Sequence, residues 1–242
     1  MLFLGLCKML QKTDLKLVKF NPEKHLPANL SEQVNDLLFI LYLLAVGLNK
    51  NIEVSVINLT KTLFKLKLDW AKEGVDFLIT DFYPFKLGPF NKEIYKYIDI
   101  LDKGGFISQS GYNLSLKAKS LELYDAAKDY LATKHPEYAK KLEELAGYYI
   151  ERYLSSSKAI GDTHKLRVQN EKGEVVSVDD LSKEEWLNKN DQGALYFEPN
   201  YDFKNSLRMP DYLVNKFIDI EDEPGNLQFN SLEELIIGGR TG

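Results

Sequence analysis

The stretch "FYPFKLGPFNKEIYKYIDILDKGGFI", Phe82 to Ile107, sets a Gly-Pro step before an amphipathic run and a Gly-Gly step after it. Pro89 suits a first helical turn, where a missing N–H costs nothing. Phe90, Ile94, Tyr97, Ile98 and Leu101 then share one stripe, while Asn91, Lys92, Glu93, Lys96, Asp99 and Asp102 form the outward set. Gly104 is expected at the position after the helix that tolerates positive φ, with Gly105 beside it. "FIS", "QSG" and "YNLSL" follow as strand, tight turn and strand. The spacing predicts a charged surface helix leading into a hairpin.

Upstream, "KFNPEKHLPANL" has two prolines and reads as a loose arm over residues 1–30. A helix is expected from Ser31, with Val34, Leu37, Leu38, Leu41, Leu44, Ala45 and Leu48 on its buried face. Phe39, Ile40 and Tyr42 widen that face until the helix is covered on most sides. "IEVSV" alternates like a short strand. From Asn58 the spacing turns helical, with Leu59, Leu63, Phe64 and Leu66 inward and Lys61, Lys65 and Lys72 towards solvent. "VDFLITDFYPF" is β-prone until Pro84. Downstream, "KAKSLELYDAAKDYLA" and "HPEYAKKLEELAGYYIERYL" are helices, the second opened by Pro136.

This order gives a mainly α (α+β) chain: a winged-helix-like helical domain over residues 31–154 with a small β-hairpin wing. The segment "VDFLITDFYPFKLG" between the second and third helices departs from the plain pattern. Residues 155–242 form a small acidic α+β C-terminal appendage. It contains a hairpin around Asn170–Gly173 and capping boxes at Ser182–Glu185 and Ser231–Glu234, the first stapled by Leu181 and Trp186. With few aliphatic residues, it is expected not to fold alone, and residues 31–154 are expected to keep a cooperative fold without it.

"KTLFKL" (Lys61–Leu66), followed by the opening stretch, resembles the Panacea-domain family, winged-helix-like antitoxins of toxin–antitoxin pairs and phage-associated proteins. Lys61, Leu63 and Phe64 match the family's first-helix pattern, with Thr62 in place of its usual leucine. Gly88 and Pro89 match its Gly-Pro step, and Glu93, Tyr95, Leu101 and Gly105 the following helix and exit. The histidine or aspartate that often follows the first motif has Asp69 as its nearest counterpart. The match covers about residues 34–125. The resemblance implies a protein partner, a cognate toxin, and no enzymatic activity.

The residues themselves leave two uses of the fold open. The net charge is −5, and the last third carries it: residues 155–242 hold 10 Lys/Arg against 17 Asp/Glu. A dedicated nucleic-acid binder shows a basic footprint instead. Lys61, Lys65, Lys92 and Lys96 would form a basic strip for DNA, the regulator alternative. Glu93 and Asp99 repel phosphate from the same face, and no arginine precedes Arg152, so the commonest reader of guanine is missing. On a solvated helix these charges are also ordinary i, i+3 and i+4 neighbours. Tyr95, Tyr148 and Tyr149 are candidate aromatic contacts, tyrosine being favoured in interfaces.

His25, His135 and His164 lack ligand partners at i+3 or i+4, and Cys7 is the only cysteine. No metal, cofactor or catalytic site is therefore expected. An acidic segment would steer the chain towards a basic partner; the plainer reading is a solubilising tail. "LLFILYLLAVGL" is too short to span a bilayer, so no membrane role is expected, and the lone cysteine suits the cytoplasm.

Overall fold

The computed structural model describes residues 15–19, 29–78, 81–170, 172–181, 195–199 and 204–221. Helix α1 (Leu30–Asn49) runs through the centre, with every residue from Val34 to Gly47 buried. It begins one residue earlier than expected. The Asn29 side chain accepts from the Glu32 amide, and the Glu32 carboxylate accepts from the Asn29 amide, so each satisfies an orphan donor. Leu48, expected inside, is half exposed because α1 ends beside it. Among the described residues α1 alone is long and apolar enough to cross a membrane, but 83% of its apolar window is buried inside the fold. It is a core helix.

Around α1 the chain follows the winged-helix order. Strand β2 (Val54–Ser55) leads into α2 (Val56–Lys72), which starts two residues before Asn58 because the Ser55 hydroxyl caps the Asn58 amide. Helix α3 (Lys92–Lys103) then leads into β4 (Ile107–Ser110) and β5 (Asn113–Leu116), the wing. The three strands form one antiparallel sheet in the order β2-β5-β4, in which Val54 faces Leu114 and Ser110 faces Asn113. Gly111, at φ +62°, makes the hairpin turn. Helices α4 (Ala118–Lys134) and α5 (Pro136–Arg152) close the body, and α4 packs on α1 while α5 packs on α2.

The N-terminal arm is not wholly irregular. Leu15–Lys19 forms β1, whose Leu15 and Leu17 side chains enter the core. Its partners come from the far end of the chain: β6 (Arg167–Gln169) in parallel and β8 (Leu195–Pro199) antiparallel. Strand β7 (Val175–Ser177) completes the sheet as the hairpin partner of β6, with Gly173 at φ +82° in the expected turn. The short alternation Leu15–Leu17, followed by Pro22 and Pro27, does not signal this strand, because its pairing is supplied by residues about 150 to 180 positions away.

The last third shares the core of the body. "SSSKAIGDTH" is helix α6 (Ser156–His164), packed on α2. Strand β3 (Val75–Asp76) pairs in parallel with β9 (Asn205–Ser206), and Arg208 forms an ion pair with Asp76 and donates to its carbonyl. The Met209 amide donates to the buried Asn35 side chain at 2.9 Å. From α7 (Asp211–Glu221), Phe217 stacks on Phe106 with ring centres 4.5 Å apart. Both rings are fully buried. The core therefore runs continuously from β1 to α7. The two C-terminal capping boxes and the Trp186 staple lie outside the described residues.

Candidate interaction face

The Gly-Pro step does not open α3. Tyr83 and Phe90 exchange two backbone hydrogen bonds of 2.7 and 2.9 Å, closing residues 83–90 into a loop, and the Gly88 amide turns back to the Phe85 carbonyl at 2.8 Å. Pro89 and Phe90 lie in that loop. The helix starts at Lys92, because the Asn91 side chain accepts from the Glu93 and Ile94 amides. Asn91 also donates to the Asp81 carbonyl and is buried, so it leaves the outward set. At the other end Gly104 has φ −69° and belongs to the cap, while Gly105 takes the left-handed position at φ +69°. Lys119 covers this exit, donating to the Gly104 carbonyl with its ammonium 4.1 Å from the Phe106 ring centre.

Lys61 is the main correction to the expected basic strip. It is 4% exposed, and its ammonium donates to the Pro89 carbonyl. Burial pulls its pKa down to about 7. Gly88, at φ +84°, lies against it: a Cβ there would sit 2.5 Å from the Thr163 hydroxyl of α6 and 3.2 Å from Lys61 Cε. The two motifs of the resemblance, Lys61 and Gly88-Pro89, thus meet as one packed joint between α2, the loop and α6. No strip joins Lys61 to Lys92 and Lys96.

Lys65, one turn on, is half-buried. Its ammonium lies 5.7 Å from the Tyr149 ring centre, and desolvation, opposed by nearby Asp69, lowers its pKa. Asp69 accepts from the Tyr149 hydroxyl. Tyr149 is buried and stacked on Tyr153, so it serves packing and is no surface contact. Tyr148 points the other way, 52% exposed, as adjacent residues on a helix must. Arg152 donates to Asp162 at 2.6 Å across α5 and α6.

The outward face of α3 keeps Lys92, Tyr95, Lys96 and Asp99 exposed, with Glu93 half-buried. Its charges cancel along the helix: Lys96 pairs with Glu93 at 3.1 Å and Lys103 with Asp99 at 2.6 Å. The wing adds no cation, since Ser108, Gln109, Ser110, Gly111 and Tyr112 form its tip. Asp102 is exposed, as expected, and accepts from the Gln109 amide of the wing at 3.1 Å.

An aromatic row crosses this face. Phe85 and Phe90 have ring centres 4.9 Å apart, and Phe90 and Tyr95 5.4 Å. Burial and then the neighbouring Tyr112 hydroxyl raise the Tyr95 pKa. Tyr95 is 41% and Tyr112 72% exposed, and Leu87 in the loop is 45% exposed. Sequence reading singles out Tyr95 and, among the tyrosines of the middle third, Tyr112, but not Phe85 or Phe90. Phe90 was assigned to the inward stripe of a helix that begins two residues later.

Among the described residues, no three His, Cys, Asp or Glu side chains come together as a metal-binding group. His164 faces Asp179 at 2.5 Å, and His135 stacks on Tyr138. No family model, curated protein or solved structure matches this chain.

Proposed function

We propose that this chain is a non-enzymatic protein-binding module, an antitoxin that neutralises a cognate toxin by direct contact in the cytoplasm. The resemblance of "KTLFKL" and the Gly-Pro stretch to the Panacea domain supplies the toxin. The exposed rings of Tyr95 and Tyr112, the first packed on Phe90 and carried by a helix whose charges cancel internally, support a protein partner. Tyrosine gives a large contact area at low entropy cost, and such side chains dominate interface energetics. A phosphate backbone would demand a surplus of cations instead.

The test is co-expression with the product of the neighbouring gene. The wild-type chain is expected to form a complex with it and restore growth. Tyr95→Ala combined with Tyr112→Ala is expected to weaken that complex by about 2 kcal/mol or more, as truncation of interface hot spots does. A neighbour that is not toxic, or a toxin that the chain does not bind, overturns the reading. The winged-helix order of elements favours a second use, DNA regulation. That use requires a tight, sequence-selective complex weakened by Lys92→Ala or Lys96→Ala. The expected result is weak binding without sequence preference.

A further inference from the structure

We propose that the cleft beneath the wing tip takes an extended, basic segment of the protein partner. The inference rests on the protein-binding reading and gives the partner a chemistry. The cleft has a volume of about 520 Å³, within the range of sites that hold a small ligand or a few residues of peptide. Ser55 and Asn113, neighbours across β2 and β5, form part of its floor, and Ser156 at the start of α6 lies on the wall. Tyr112 and Leu154, 72% and 60% exposed, stand on its lining.

Three observations select the occupant. Tyr112, which lines the cleft, is 72% exposed at the tip of the wing that follows α3, so the cleft is open to a partner held on that side. The polar lining is mostly uncharged Asn and Ser side chains, which can both donate to and accept from a peptide main chain. The one charged lining residue is Glu53, which is exposed and forms no ion pair among the described residues. It attracts a Lys or Arg side chain and repels a phosphate. Tyr112 and Leu154 then receive the apolar side chains on either side of that cation.

Titration of the full chain, followed by NMR, tests this with three probes: the capped peptides Leu-Lys-Leu-Lys and Leu-Glu-Leu-Glu, and a thymidine oligonucleotide. The lysine peptide is expected to shift Ser55, Tyr112, Asn113 and Leu154 saturably. It should bind about two- to fivefold more tightly than the glutamate peptide, the factor one exposed charge pair supplies. Glu53→Lys should reverse that preference while leaving the spectrum of the core unchanged. Equal binding of both peptides, a preference indifferent to Glu53, a stronger response to the oligonucleotide, or no response at the cleft overturns the proposal. Shifts at Phe90 and Tyr95 alone would remove the cleft and leave the protein-binding reading standing. That reading falls only by the co-expression test.

Discussion

Two lysine pairs share one spacing and have opposite fates. Lys61 and Lys65 are four residues apart on α2, and Lys92 and Lys96 four apart on α3. Lys92 and Lys96 remain in solvent, where Lys96 pairs with Glu93. Lys61 is sealed under the Gly-Pro loop and α6, and Lys65 lies half-buried against Tyr149. The difference does not come from helix periodicity, which treats the pairs alike. It comes from what the rest of the chain lays over α2. A long aliphatic stem can line a core while its ammonium finds one carbonyl, and Lys61 does so at Pro89.

The strongest way to break this contrast is to remove the cover. A chain ending at Leu154 lacks α6 with Thr163, and α7 with Phe217. Lys61 should return towards the ordinary lysine pKa. Because Phe106 loses its stacked partner, the truncated chain is expected to lose its cooperative thermal transition in calorimetry. A sharp transition close to that of the full chain would restore the sequence-based expectation that residues 31–154 suffice.

Gly88→Val attacks the same joint from the loop. Its φ of +84° and the 2.5 Å approach of a Cβ to Thr163 combine backbone strain with overlap. The expected loss is about 1–3 kcal/mol in chemical denaturation. An unchanged midpoint would mean that the loop can move away without cost.

The pH dependence sharpens the contrast. Lys61 titrates near 7 when folded and near 10.4 when unfolded. Between these values the unfolded chain binds the extra proton, so stability rises with pH across the window and is flat below it. The wild type is therefore expected to gain on Lys61→Met by roughly 1 kcal/mol per pH unit from pH 7 to 9.5. Taking the difference between the two proteins cancels other titrations, including those of Tyr149 and Tyr153, whose pKa values burial raises. Parallel stability curves would show that Lys61 keeps its proton in the fold. On α3, by comparison, Lys92→Ala and Lys96→Ala should each change stability by only about 0.5 kcal/mol or less.

The body of the fold was legible because its signals are local. The stripes of α1, α2 and α3 and the hairpin after α3 follow from side-chain period and turn chemistry alone, although the turn falls at Gly111–Tyr112 and not at the expected Gln109–Gly111. The ends of α3 were misplaced by three residues at one end and one at the other. Pro89 and Gly104 looked like boundary residues, but Asn91 won the N-cap through its side-chain hydrogen bonds, and Gly105 the positive φ. The burial of Lys61 was not legible, because its partner is a carbonyl 28 positions away, on a loop that packs against Thr163 of α6. Of the candidate face, sequence reading found Tyr95, Lys92, Lys96 and Asp99. It missed Phe85 and Phe90, since a row assembled from a loop and a helix leaves no periodic trace.

Strand β1 also bears on how the chain is made. Lys16 is opposite Gln169 and Glu198, so this strand leaves the ribosome about 150 residues before the first of its neighbours. At about 5–20 residues per second, it waits roughly 8–30 s for β6. During that interval Leu15 and Leu17 have no sheet to enter. Pairing across such separations is slow even in a finished chain, because loop closure precedes the contacts that stabilise it. The sheet can therefore close only once residues 195–199 have been made, and a product stopped before residue 167 lacks both partners of β1.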